Sequence, residues 1–330
     1  MHINMKSSLT DLGLRALLIA LSLTCGTAAA QAWPARPVHI IVPSAPGGTA
    51  DRLGRMVAQK LTESMKQTFV VENIAGAGDL IGSDRVAKAP PDGYMLLVSS
   101  IAALAIAPTM SKKPPYDPLR DFTHIALFGG LPAVLAVHPS VPARDLKEFI
   151  AYAKSQPGKL SHGTAGIGTQ GHLFGEHFKQ LFGIDMLHVP YKGTAPALTD
   201  LVAGHIPAVV MSLTSAAEQI KSGKARALAV SSTSRVPDFP DVPTFAELGY
   251  PELTATIWFS LSGPAGMPQD IVQRLNTEVR RILQLPEVLQ GLRPEGIEPG
   301  NLDPKAFTAF VAAELKRWAL VIRASGAQAN

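Results

Sequence analysis

Val38-His39-Ile40-Ile41-Val42 runs into Pro43-Ser44-Ala45-Pro46-Gly47-Gly48 and then into Thr49-Ala50-Asp51-Arg52-Leu53. Four of the first five residues are β-branched and apolar, the pattern of a buried strand. The Pro/Gly loop breaks that strand. Beyond it Leu53, Met56, Val57 and Leu61 fall on one helical face. Thr49 is expected as the N-cap, and Asp51 suits the positive first turn. A strand, a tight glycine loop and a helix together form the repeating unit of an α/β fold with parallel strands.

Working outward, the alternation continues. Phe69–Glu72 reads as a second strand, followed by the Gly76-Ala77-Gly78 turn and a short helix through Val86 and Ala87. Pro90-Pro91-Asp92-Gly93 stops that helix, and Tyr94–Val98 is a third strand ending at Ser99 and Ser100. Ile125–Phe128, Gly129-Gly130 and Ala133–Val137 form a candidate crossing into a second α/β series. Its expected strands are Lys159–His162, Met186–Val189, Ala208–Met211 and Ala225–Val230, with helices over 143–154, 170–182 and 194–203. Thr256–Leu261 is a second candidate crossing. Two helices close the chain, the first opening at Pro268 and the last capped by Asp303 with Pro304 at its first position.

The 330-residue chain has room for two such lobes, and 46% hydrophobic residues give it a sizeable core. Its net charge is +4, with no run of four Lys/Arg, which argues against a nucleic-acid surface. Lys6 and Arg15, the apolar run Ala16–Leu23 and the small residues Gly26–Ala30 read as a signal peptide over residues 1–32, cleaved after Ala30 or Ala32. The one cysteine, Cys25, lies in that leader, and Thr24 before it does not fit a lipoprotein cleavage box. The exported chain would then hold no disulfide and no cysteine metal site. No later stretch is long and apolar enough to span a membrane.

Two loops share one design. Pro46-Gly47-Gly48-Thr49 and Gly166-Ile167-Gly168-Thr169-Gln170-Gly171 each join a strand to a helix N-terminus. Glycine lets backbone N–H groups approach a ligand, and unpaired amides with the helix dipole favour an anion. The bland alternative for either loop is a tight turn. The second loop also matches G-x-G-x-x-G, but the next strand ends at Tyr191 rather than at an acidic residue, so no dinucleotide or other cofactor is expected. His172 and His177 point about 140° apart on a helix at ~100° per residue and cannot share a metal; no metal site is expected. No nucleophile elbow is present, and Asp51 is the one nameable general base, so the chain is not expected to be an enzyme.

These residues resemble the Bug-type receptors, the extracytoplasmic solute-binding proteins of tripartite tricarboxylate transporters. The resemblance rests on Trp33-Pro34-Ala35-Arg36-Pro37, Pro46–Asp51, Val71-Glu72-Asn73 with Gly76-Ala77-Gly78, and Pro91-Asp92-Gly93-Tyr94. It continues through Gly163–Leu173, Val189-Pro190-Tyr191-Lys192-Gly193, Asp241-Val242-Pro243-Thr244, Trp258-Phe259 and Pro264-Ala265-Gly266, and so spans almost the whole exported chain. It implies a type II periplasmic-binding-protein fold, with two Rossmann-like lobes joined by a hinge around the ligand cleft. Residues 33–128 with 257–330 would form one lobe and 129–256 the other. It implies a monomeric periplasmic protein that captures a small mono-, di- or tricarboxylate for membrane permease subunits. Carried onto this sequence, the ligand-binding residues would be Gly47, Gly48, Thr49 and Asp51 from the first loop, and Gly166, Gly168, Thr169 and Gln170 from the second. Tyr191, Gly193 and Met211 would line the second lobe, with Ser99 opposite. The alternatives are an exported hydrolase or isomerase on the same scaffold, or a subunit presenting its ligand to a sensor. Two positions depart from the family pattern: Ser44 stands where many relatives carry an aromatic, and Asp79 where they often carry glycine or a small residue.

Overall fold

The computed structural model describes residues 33–325; the leader, Cys25 and both cleavage points lie outside them. The first unit is β1 (Val38–Val42), α1 (Thr49–Met65), β2 (Phe69–Asn73), α2 (Leu80–Ala87) and β3 (Met95–Ser100). A π-helical turn (Ala102–Ile106) and the short α3 (Ala107–Met110) lead to β4 (Phe122–Val137), which runs unbroken through the segment read as the first candidate crossing. Then come α4 (Leu146–Ser155), β5 (Leu160–Thr164), α5 (Gln170–Phe182), β6 (Met186–Pro190), α6 (Thr194–Val202), β7 (Ala208–Ser212), α7 (Leu213–Lys221) and β8 (Arg226–Val230). The chain returns through β9 (Thr256–Pro264), α8 (Gln269–Leu283), α9 (Pro286–Leu292), β10 (Glu298–Pro299) and α10 (Pro304–Ser325).

The strands join in the order β2-β1-β3-β9-β4-β7-β5-β6, with β10 and β8 also on β4. β4 serves two sheets. Residues 122–132 pair with β9, and 133–137 pair with β7 and β8. Just before the changeover Gly129 has φ +129°, and a Cβ there would lie 2.2 Å from the Glu298 carbonyl oxygen. A Cβ on Gly130 would lie 2.4 Å from Thr256 Oγ1. The Gly129-Gly130 pair is thus demanded by close approach on both flanks of the strand.

The register also fixes which ends face each other. β3 runs antiparallel to β9 with Ser100 opposite Phe259, and Phe259 pairs with Gly129. β7 runs antiparallel to β4 with Ser212 opposite Ala133. β1 and β2 are parallel to β3, and β5 and β6 to β7. The carboxyl ends of both parallel sets therefore point at the β4/β9 crossing from opposite sides. That is where ligands bind in open α/β sheets.

Leu53, Val57 and Leu61 of α1 pack with β1 and with Ile271, Leu275 and Val279 of α8. α10 lies over both parts of the molecule, with Phe307 and Trp318 in one core with Leu104, Phe174 and Phe178. Each large side chain fully buried there contributes about 1.5–3 kcal/mol. Trp258 and Trp318 both donate from Nε1 to Oε2 of buried Glu314, at 3.0 and 3.1 Å.

Candidate functional site

The first loop is organised by Asp51, which is buried while its helix begins at the surface. Its Oδ2 accepts from the Gly47 amide at 2.9 Å and Arg55 Nε at 3.1 Å. Its Oδ1 accepts from Asn73 Nδ2 at 2.9 Å and pairs with Arg55 at 3.0 Å. These donors, Arg55 foremost, hold the Asp51 pKa down at about 2. The carboxylate therefore braces the loop, and its lone pairs are engaged. Gly47, at φ +86°, gives its carbonyl to Arg52 at 3.0 Å. Gly48, not Thr49, is the N-cap: its extended backbone precedes the first helical residue, and it has no side chain to cap with. The amides of Gly48, Thr49, Ala50 and Asp51 find no acceptor among the described residues, as expected at a helix start.

The second loop is built the same way. Thr169 caps α5 by accepting from the His172 amide at 3.3 Å, and its hydroxyl donates to the Gly166 carbonyl at 2.7 Å. The Gly166 amide donates to Thr164 Oγ1 at 3.2 Å and the Gly168 amide to His172 Nδ1 at 3.2 Å. Left without an acceptor among the described residues are the amides of Ile167, Gln170 and Gly171. The Gln170 side chain is buried, and neither its Nε2 nor its Oε1 has a partner among the described residues. Gly193 caps α6 at φ +109°, with its amide on the Ala165 carbonyl at 3.1 Å.

A cavity of about 660 Å³ opens between the two parts. One wall is the turn after β2, with Gly78 and Leu80, and the segment after β3, with Ala102, Ile106, Ala107 and Met110. The other is Ile167 and Gly168 of the second loop, and exposed Lys112 and Lys113 also line the cavity. A Cβ on Gly168 would lie 3.3 Å from Met110 Sδ, so the second loop closes onto the first part here.

The chain matches the profile of the tripartite tricarboxylate transporter family receptor (TctC) over residues 53–327. It belongs to that receptor family. Protein BugT of Bordetella pertussis is 39% identical over 309 residues, spanning 92% of this chain and 95% of BugT. Among solved structures, a protein of R. palustris with adipate is 36% identical at TM-score 0.74, covering 89% of this receptor and 98% of that chain. MatC from Rhodopseudomonas palustris with bound malate is 32% identical at TM-score 0.71, covering 88% and 100%. The two-lobed periplasmic-binding-protein fold implied by the sequence is thus the fold of this receptor.

Of the twelve residues carried over from the family, Gly168 alone lines the 660 Å³ cavity. Gly47, Gly48, Thr49 and Asp51 gather at the start of α1, and Gly166, Thr169 and Gln170 at the start of α5. Gly193 joins the second group through its amide on the Ala165 carbonyl, and the carbonyl of Tyr191 lies beside Gly166. Ser99 is fully buried, and its hydroxyl bonds Ser260 at 2.6 Å and Ser262 at 3.0 Å. Met211 packs in the core of the second part. The Tyr191 hydroxyl donates to Asp200 at 2.6 Å; burial, then this bond and the Asp200 charge, raise its pKa to about 12.

Sequence reasoning missed the apolar wall 102–110, because an apolar run reads as core. It also missed a row of imidazoles behind the second loop. His172 stacks on His188 at 4.1 Å, and His188 lies 5.2 Å from fully buried His162. Burial, with the neighbouring rings and Lys179, lowers the pKa of His162 to about 3 and of His188 to about 4. Neutral rings let His172 Nδ1 accept the Gly168 amide and so shape the loop. Among the described residues no group of His, Cys, Asp or Glu is placed to hold a metal, and no helix is long and apolar enough to cross a membrane.

Proposed function

We propose that this receptor captures a small organic acid between its lobes in the periplasm and presents it to membrane permease subunits of a tripartite tricarboxylate-type transporter. The observation that carries the reading is the pair of helix starts at the strand carboxyl ends facing the β4/β9 crossing. The unpaired amides of Gly48, Thr49 and Ala50 stand at one, and those of Gln170 and Gly171 with the unpartnered Gln170 side chain stand at the other. A carboxylate fits both, each charge-assisted bond contributing about 1.5–3 kcal/mol when sheltered from water. Adipate and malate in two relatives fit the same reading.

In this reading residues 1–32 direct export, 33–128 with 257–330 form one lobe, and 129–256 form the other. The ligand bridges the lobes and shifts the population toward a closed monomer that docks on the permease. The glycines shape the loops, and Asp51 braces the first without touching ligand. Capture needs no covalent step, and the engagement of Asp51 with Arg55, Asn73 and Gly47 favours a binder over a hydrolase. A thermal-shift screen of organic acids tests it. At a hundredfold excess over Kd a true ligand stabilises by ~2.7 kcal/mol, and a broad carboxylate panel without any shift would refute the proposal.

A further inference from the structure

The cavity walls restrict which acid fits. From the first lobe the wall is apolar: Leu80, Ala102, Ile106, Ala107 and Met110. From the second lobe it is met by Ile167, a large apolar residue left 64% exposed on the loop that closes onto Met110. A volume near 660 Å³ lies within the range of small-molecule sites.

The anion-binding groups lie on the two loops and at Lys112 and Lys113, not on the 102–110 wall. Lys112 and Lys113 are exposed lining residues and make no ion pair among the described residues, and α5 offers its amides two residues from Gly168. The arginines near the first loop are already committed, Arg52 to Glu295 at 2.8 Å and Arg55 to Asp51 at 3.0 Å. Asp79 sits between the wall residues Gly78 and Leu80, and the one partner of its carboxylate among the described residues is the Ser100 hydroxyl at 3.3 Å. A second ligand carboxylate against this wall would meet no free arginine and an uncompensated carboxylate behind it.

Given the organic-acid reading above, on which this rests, we propose that the ligand is a monocarboxylic acid with an apolar body, its carboxylate at the α5 start and its body along the 102–110 wall. The class includes medium alkyl and aromatic acids and disfavours compact polyacids.

Titration calorimetry at pH 7.5 with acetate, butyrate, hexanoate, benzoate, succinate and citrate tests this. Each added methylene should tighten binding about three- to fourfold, and hexanoate or benzoate should exceed citrate at least about tenfold. Ile167→Ser, at an exposed position outside the core, should weaken hexanoate about three- to tenfold while barely moving the unliganded melting point. A flat alkyl series, citrate or succinate ahead of hexanoate, or unchanged hexanoate affinity in Ile167→Ser would overturn this inference and leave the organic-acid receptor standing. Heat from none of the six acids would overturn both.

Discussion

Replacing Asp79 by Asn should make this protein more stable at neutral pH, by an amount that vanishes in acid. Asp79 holds φ +74° as the cap of α2, a left-handed conformation that Asn adopts as readily. Burial, opposed only by the Ser100 hydroxyl, raises its pKa from 3.8 to about 6. A folded-state pKa above the unfolded one gives stability that is complete below 3.8 and lost as pH rises through 6. At ~1.36 kcal/mol per unit, the ionised carboxylate costs about 3 kcal/mol above pH 7. Partial exposure and an imperfectly bonded amide reduce the expected gain for Asp79→Asn to about 1–3 kcal/mol. Urea unfolding of both proteins at pH 4, 5, 6 and 7.5 should show a difference near zero at pH 4 that grows and levels off past pH 6. A difference that is flat with pH, or wild type more stable at pH 7.5, would refute the reasoning that this carboxylate is buried without compensation.

Buried His162, with its pKa lowered to about 3, should act in the opposite sense. Its depressed pKa means stability that is full above 6.5 and falls below it, by about 2 kcal/mol at pH 5, measurable by urea melts and absent if its NMR titration shows a midpoint near 6.5. Gly48→Val should leave the fold intact, because a Cβ there meets only the Ala45 carbonyl at 3.8 Å, yet weaken acid binding at least about tenfold by crowding the Thr49 and Ala50 amides; undiminished affinity in calorimetry removes the first loop from the site. Asn276→Leu should destabilise by about 2–4 kcal/mol, since its buried Nδ2 serves the carbonyls of Ile125 at 2.8 Å and Leu302 at 3.0 Å; a denaturation midpoint matching wild type would contradict that accounting.

The architecture was legible wherever glycine and proline punctuate an apolar rhythm. Val38–Val42 with its loop and α1, and the Gly166–Gly171 loop before α5, fall where their residues put them, and Gly129-Gly130 lies just before the changeover between sheets at Pro132 and Ala133. The π turn and α3 were not legible, because Ile101–Ile106 is uniformly apolar and has no period to read. The helix over Leu213–Lys221 was overlooked for want of a glycine stop before it. Within the site, spacing identified the loops but not the fate of each amide. Nothing in the order of residues says that Gly47 donates to Asp51 or Gly168 to His172, because those bonds depend on side-chain rotamers across a turn. Ser99 and Met211 show the same limit: strand periodicity places them at the right end of a strand, and only packing decides that both are covered.

The strand Phe122–Val137 belongs to two hydrogen-bonded sheets at once, and the core around Phe174, Phe307 and Trp318 draws side chains from either side of it. Dissection of this protein into separately expressed halves should therefore fail: any cut at the changeover leaves an orphan edge and a bared apolar face on both pieces. Calorimetry of the intact protein should accordingly record one cooperative endotherm instead of two resolved ones.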